Sequence, residues 1–76
     1  MKEILETIIL NLVDDKNAVH IEEKVNDNSI VYEVKVSKED MGKVIGKQGR
    51  IANSIRTVMK SVGSKDHKKI SIDFVE

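Results

Sequence analysis

The stretch that decides the fold is GKVIGKQGR, residues 42–50. Its first residues are predicted to be helical. The helix is interrupted by Gly46-Lys47-Gln48-Gly49, in which two glycines enclose two polar residues. Glycine permits a tight turn and lets a foreign backbone approach closely. The start of the helix that follows offers free N–H groups, which favour a phosphate. A G-x-x-G turn alone is a weak signal, because corners between helices also use glycine for turning alone.

Helices are predicted on both sides of this turn. Upstream, Ser37 is a hydroxyl N-cap followed by two acids in the first turn, and the helix reaches about Ile45. Downstream, apolar residues recur at helical spacing over about residues 50–62, with Gly63 as the predicted C-cap.

A further helix and three strands are predicted outside this pair. A wide apolar stripe over residues 2–14 indicates an amphipathic helix, which is a core face or leaves room for a partner. Apolar and polar residues alternate near 18–25, 30–36 and 70–75, which is the period of a half-buried strand. Val19, Ile21 and Val25 are predicted on the inner side of the first strand, and Glu23 interrupts that pattern, so this strand bends or reaches a sheet edge there.

The predicted order is α-β-β-α-α-β, a single α+β domain over residues 1–76. A polar turn at residues 26–29 joins the first two strands into an antiparallel hairpin. The two central helices are long enough to make the second and third strands parallel. We therefore predict a three-stranded mixed sheet with three helices packed on one face.

The charge of the chain is uneven along its length. Thirteen basic residues cancel thirteen acidic ones, which by itself argues against a nucleic-acid binder. Residues 1–40 hold five basic and ten acidic residues, a net of −5, whereas residues 41–76 hold eight and three, a net of +5. Residues 41–65 contain no acid. A nucleic-acid surface and an ordinary solvated helix face explain this window about equally well.

Composition removes several classes of protein. There is no cysteine, so disulfides and thiolate metal sites are excluded. One Tyr and one Phe are too few for base stacking on aromatic side chains to dominate. Apolar runs of three residues or fewer predict neither a transmembrane helix nor a signal peptide, so we expect a cytoplasmic protein. His20 and His67 have no ligand spacing and no acid–base set is assembled, so neither a metal, a cofactor nor catalysis is predicted.

Residues 42–50, with the G-x-x-G turn intact, resemble the signature of KH domains. The order α-β-β-α-α-β matches the bacterial, type II arrangement, and the resemblance covers the whole chain. It is closest to the small bacterial single-KH RNA-binding proteins of the KhpA/YlqC type. One position departs from the general signature: three residues after the second glycine, where an aliphatic residue is usual, this chain has Ala52.

The resemblance implies that the turn clamps the backbone of about four nucleotides of single-stranded RNA. Bases would lie in a groove between the first central helix and the edge of the sheet. Lys47, Gln48 and Arg50 would contact phosphate or sugar. The candidate RNA-binding residues are Gly42, Lys43, Val44, Ile45, Gly46, Lys47, Gln48, Gly49, Arg50, Ile51 and Arg56.

Two alternatives stay open within this set. Val44, Ile45 and Ile51 line the groove or support it as core, and for Ile45, as for Ile55, core is favoured. Gly42 allows either the close approach of a base or close packing against the sheet.

The resemblance also implies a partner, either a second copy of the chain or a larger KH-containing protein. A lone domain of this size gains avidity by dimerising. The predicted function is that of a non-catalytic RNA-binding protein, acting as a post-transcriptional regulator or RNA chaperone. The alternative is an interaction protein that acts mainly through homo- or hetero-dimerisation.

Overall fold

The chain folds in the predicted order, and a computed structural model describes residues 1–75. The helices and strands are α1 (Lys2–Leu12), β1 (His20–Val25), β2 (Ser29–Lys35), α2 (Met41–Ile45), α3 (Arg50–Ser64) and β3 (Lys69–Val75). Short 3₁₀ turns occupy Lys16–Ala18, Lys38–Asp40 and Lys47–Gly49. The α+β class and the α-β-β-α-α-β order are confirmed, although α1 ends two residues before the predicted position.

The sheet has the order β1-β2-β3, with β2 in the middle. β1 pairs with β2 antiparallel, and β2 pairs with β3 in parallel, as the two-helix crossover allows. The register puts Ile30 beside Ile70 and Tyr32 beside Ile72, all four buried on one face. The mixed three-stranded sheet is confirmed.

The core lies between this sheet face and the three helices. The helical stripes and the strand alternation meet there, and each large apolar side chain contributes about 1.5–3 kcal/mol on burial. The buried apolar residues of the helices are Leu5, Ile9, Val44, Ala52, Ile55 and Met59, and those of the strands are Ile30, Tyr32, Val34, Ile70 and Ile72.

A buried carboxylate ties the end of α1 to the start of α2. Asp40 is 2% exposed and accepts hydrogen bonds from the backbone N–H groups of Asp15 (2.9 Å) and Asp14 (3.2 Å) and from Oγ of Ser37 (3.1 Å). These hydrogen bonds lower the pKa of Asp40 to about 2, and the bond from the N–H of Asp15 has the largest effect. Burial of the carboxylate acts in the opposite direction and is outweighed. Ser37 is confirmed as an N-cap, since its Oγ accepts the N–H of Asp40 at 3.2 Å, although the turn it caps is 3₁₀.

Gly63 is not the C-cap that the sequence predicts. It is buried inside α3, and a Cβ there would clash with Cγ1 of Ile70. The helix ends beyond it: His67 takes a left-handed conformation (φ 56°), and the N–H of Lys68 bonds the carbonyl of Gly63 at 3.1 Å. Glycine at this position therefore lets α3 pack closely against β3.

β1 is an edge strand and is less buried than the alternation predicts. Val25, predicted on the inner side, is 59% exposed because it lies at the end of the strand. The residue that breaks the pattern, Glu23, lies opposite Tyr32 and accepts a 2.7 Å hydrogen bond from its hydroxyl. Burial and this bond raise the pKa of Tyr32. β1 as a whole is an edge strand, so of the two alternatives predicted at Glu23, a bend or a sheet edge, the sheet edge agrees with the structure.

Candidate nucleic-acid interface

The turn between α2 and α3 has a backbone conformation that requires its glycines. Gly46 (φ 75°, ψ 177°) and Gly49 (φ 75°, ψ 12°) both have positive φ. A Cβ on Gly46 would also lie 2.6 Å from Cγ1 of Ile51. Gln48 is left-handed as well (φ 58°), which costs an L-residue roughly 1–2 kcal/mol. Backbone strain of this kind is typical of functional sites.

The turn presents polar groups to solvent. The side chains of Lys47 and Gln48 are exposed at its tip. Gly49 occupies the N-cap position of α3 and has no side chain with which to cap it. The N–H of Arg50, the first residue of α3, donates to the carbonyl of Lys47. The N-terminal end of a helix with a cationic side chain beside it is suited to a phosphate.

Lys43 and Gly42, on α2, differ in what surrounds them. The ammonium of Lys43 is paired with the carboxylate of Asp14 and lies 3.5 Å from that of Asp40. The bond to Asp14 is the first cause of a raised pKa of Lys43. Gly42 is exposed, and a Cβ on it would have nothing within 4 Å, so close packing does not explain this glycine.

The apolar candidates belong mainly to the core. Val44 is completely buried, and Ile45 packs against the core from its border, as favoured. Ile55 is 4% exposed, which confirms it as core. Ile51 is half-buried against Gly46 and supports the turn from below.

Arg56 lies between α3 and the open edge of β3. Its Nε donates to the carbonyl of Ile72 and its Nη1 donates to Oδ1 of Asn53, both at 3.2 Å. Its Cζ is 5.3 Å from the ring centroid of Phe74, within the range of a cation–π contact. A guanidinium has five N–H donors, and these two bonds leave three for a ligand.

The other side of α3 faces α1 and is apolar. A groove of about 410 Å³ lies between these helices, and Val58 within it is 47% exposed. This apolar groove is lined by Ile8, Leu12, Arg50, Ile51, Ser54, Ile55 and Val58. The candidate RNA-binding residues therefore lie on both sides of α3. Arg50 and Ile51 are on the side that faces α1, Arg56 is on the side that faces β3, and the glycine turn lies between them.

Three residues around the site were missed by the sequence reasoning. Asn53 lies three residues before Arg56, a helical spacing that could have suggested their contact. Phe74 and Asp40 act through tertiary contacts, for which the sequence carries no local signal.

Within residues 1–75, no three His, Cys, Asp or Glu side chains are grouped so as to hold a metal ion. No helix in this part of the chain combines the length and apolar character needed to cross a membrane.

Comparisons with known proteins find similar chains. Residues 2–74 match the family model described as the KH domain of KhpA/KhpB. The chain is 52% identical over 75 residues to RNA-binding protein KhpA of Clostridium perfringens, covering 99% of this chain and 100% of that protein. It is 50% identical to RNA-binding protein KhpA of Listeria monocytogenes, with full coverage of both chains. It is 47% identical to RNA-binding protein KhpA of Chlamydia trachomatis, over 100% of this chain and 97% of that one. No solved structure gives a significant match.

Proposed function

The chain belongs to the KhpA/KhpB family of KH domains, and we propose that it binds single-stranded RNA by clamping its backbone with residues 46–49. The observation that carries this proposal is the conformation of the turn. Glycine at 46 and 49 keeps its surface free of side chains, Lys47 supplies charge, and the turn lies at the N-terminal end of α3, where the helix dipole favours an anion. The family is one of RNA-binding domains, and the proposal includes no catalysis.

The bases would lie between α2 and the edge strand β3. Arg56 is held at the same edge of β3 by Ile72, Asn53 and Phe74, so its guanidinium plane is fixed before RNA arrives. A planar cation offers a face on which a base stacks and N–H donors for the edge of a base. Arg56 therefore contributes to base contacts, while the turn holds the backbone.

The test is a double substitution, Lys47→Asp with Gln48→Asp, followed by fluorescence anisotropy with short single-stranded RNA. We expect binding to be abolished, because two carboxylates replace the cation and the amide where phosphate would lie. The matched control is Lys16→Asp with Asn17→Asp, which makes the same charge change at two exposed residues of the turn Lys16–Ala18, outside the candidate set. Unchanged affinity of the turn variant, or an equal loss in the control, would contradict the clamp.

In cells the same activity would make this a cytoplasmic post-transcriptional regulator or RNA chaperone. One small site with few aromatic residues gives modest, salt-sensitive affinity, which suits brief contacts with many RNAs. Crosslinking in cells followed by sequencing of bound RNA tests this role. Recovery of no RNA above background would count against it.

The apolar groove favours a second function, pairing with another copy of the chain or with a larger KH-containing protein. Ile8, Leu12 and Val58 leave apolar surface in contact with water between two neighbouring helices. The chain has no net charge, so two copies do not repel each other through it. Sedimentation velocity at several concentrations tests the homodimer, and a monomer at the highest concentration argues against it.

A further inference from the structure

A second depression lies at the opposite end of α3 from the glycine turn. It has a volume of about 370 Å³, and we name it the lysine pocket after its lining residues Lys60, Lys68, Lys69, Ile70 and Ser71. The close packing of Gly63 on Ile70 brings this end of α3 against the start of β3. Lys60 of α3 and the adjacent Lys68 and Lys69 at the start of β3 therefore line one concavity.

The positive charge of this pocket is not neutralised by neighbouring acids. The ion pairs within residues 1–75 involve only the N-terminus and Lys43 as cations, so none of the three pocket lysines takes part in one. Lys68 donates to the backbone carbonyls of Asp27 (2.8 Å) and Asn26 (3.3 Å), which position it without cancelling its charge. A concave site lined by charge of one sign concentrates counter-ions.

The pocket lies on the same side of α3 as Arg56. Lys60 is four residues after Arg56, so both project from the same face of α3. From Gly49 to Lys60 the helix rises about 16 Å at 1.5 Å per residue. That rise corresponds to about five phosphates at the 3.4 Å axial spacing of a stacked strand. The pocket is therefore beyond the roughly four nucleotides that a KH turn clamps.

We propose that the lysine pocket is a second phosphate-binding subsite, which holds the backbone of the same RNA strand after it leaves the glycine turn. The strand passes from the turn over Arg56 and along the open edge of β3 to Lys60 and Lys69. The RNA recognised is then longer than four nucleotides. This inference rests on the proposed function, because it needs an RNA strand already held at the turn.

The test compares two lengths of RNA. Lys60→Gln with Lys69→Gln is measured by fluorescence anisotropy against degenerate single-stranded RNA pools of four and ten nucleotides, over a range of salt concentrations. We expect affinity for the ten-nucleotide pool to fall about tenfold and affinity for the four-nucleotide pool to stay within about twofold. The slope of log affinity against log salt should become shallower by about 1.4 for the longer pool, since each phosphate contact with a single strand contributes about 0.7.

The control is Lys24→Gln with Lys35→Gln, which removes the same charge from two exposed lysines of β1 and β2. It should leave the length dependence unchanged. Equal losses on both pools, no loss on either, or the same change in the control would overturn the subsite while leaving the clamp intact. Failure of the unsubstituted protein to bind either pool would overturn the clamp and the subsite together.

Discussion

The two sides of α3 differ in chemistry although they are built from one helix. The side toward β3 carries Arg56 and Lys60, and Arg56 there is fixed by hydrogen bonds and an aromatic ring. The side toward α1 carries Ile51 and Val58 along an apolar groove. The first suits a polyanion and the second suits a protein surface. One short helix can therefore serve both proposed functions at once, and substitutions should separate them.

The largest effect is expected on the apolar side. Val58→Asp would place an unpaired charge in the proposed dimer interface, which costs about 3–5 kcal/mol. The dissociation constant of the dimer in sedimentation velocity should therefore rise more than about a hundredfold. The affinity of each site for RNA should stay within about twofold. Val25→Asp is the control, because Val25 is apolar and exposed but lies at the end of β1. If Val25→Asp weakens the dimer as much as Val58→Asp does, the dimer interface is not specific to the side of α3 that faces α1.

On the cationic side, Arg56→Ala should weaken RNA binding by about ten- to a hundredfold, as expected for loss of a stacked base worth about 1–3 kcal/mol. Dimerisation through the apolar groove should not change. Arg56→Lys keeps the charge and loses the planar fork, so its affinity should be intermediate. If Arg56→Lys binds RNA with unchanged affinity in anisotropy, only the positive charge at this position contributes to binding.

A smaller effect should follow from changing how α3 sits on β3. Gly63→Ala places a Cβ against Ile70, and such overpacking costs about 1–3 kcal/mol. The midpoint of urea unfolding should fall, and binding of ten-nucleotide RNA should weaken because the lysine pocket is distorted. For the unfolding midpoint, Gly42→Ala is the matched control: nothing lies within 4 Å of its added Cβ, and alanine favours the helix by up to about 1 kcal/mol. An unchanged urea midpoint for Gly63→Ala would show that Ile70 moves to accommodate the added Cβ at little cost.

The smallest effect is expected from low pH, and it should destabilise the end of α1 before it affects α3. The pKa of Asp40 is lowered from 3.8 to about 2, so the stability it contributes is complete above about pH 4 and is lost as the pH falls toward 2. Asp40 holds the N–H groups that follow α1, so amide exchange at the end of α1 should accelerate before that of α3. Asp40→Asn should flatten this pH dependence, and Asp73→Asn, at an exposed residue of β3, should not. Identical acid profiles for all three proteins would exclude this role of Asp40.

The parts that sequence predicted well depend on local patterns. Spaced glycines marked the turn, and the alternation around Tyr32 gave the face of β2 that is buried. The predictions that were wrong concern contacts between residues that are far apart in the sequence. Gly63 has the spacing of a C-cap, and only the position of Ile70 shows that it is a packing glycine. Val25 fits the alternation, but the pattern does not reveal that the core ends before it.

The same reason explains what was missed at the site. The sequence predicts Arg56 only as a cation in a basic window, whereas its bond to Ile72 depends on where β3 docks. The lysine pocket combines a residue of α3 with residues of β3, and no window along the chain contains them as a group. Whether the eleven candidate residues contact RNA stays a prediction.

The bond from Arg56 to Ile72 has a consequence for how the molecule behaves at high concentration. β3 is an edge strand, and a bare strand edge invites pairing with the edge of another chain, which is a route to aggregation. Arg56 takes one carbonyl of that edge and covers the neighbouring Phe74 with a charged group. The side chain proposed to contact bases thus also discourages the sheet from growing into a larger one, so its replacement should be judged by solubility as well as by affinity.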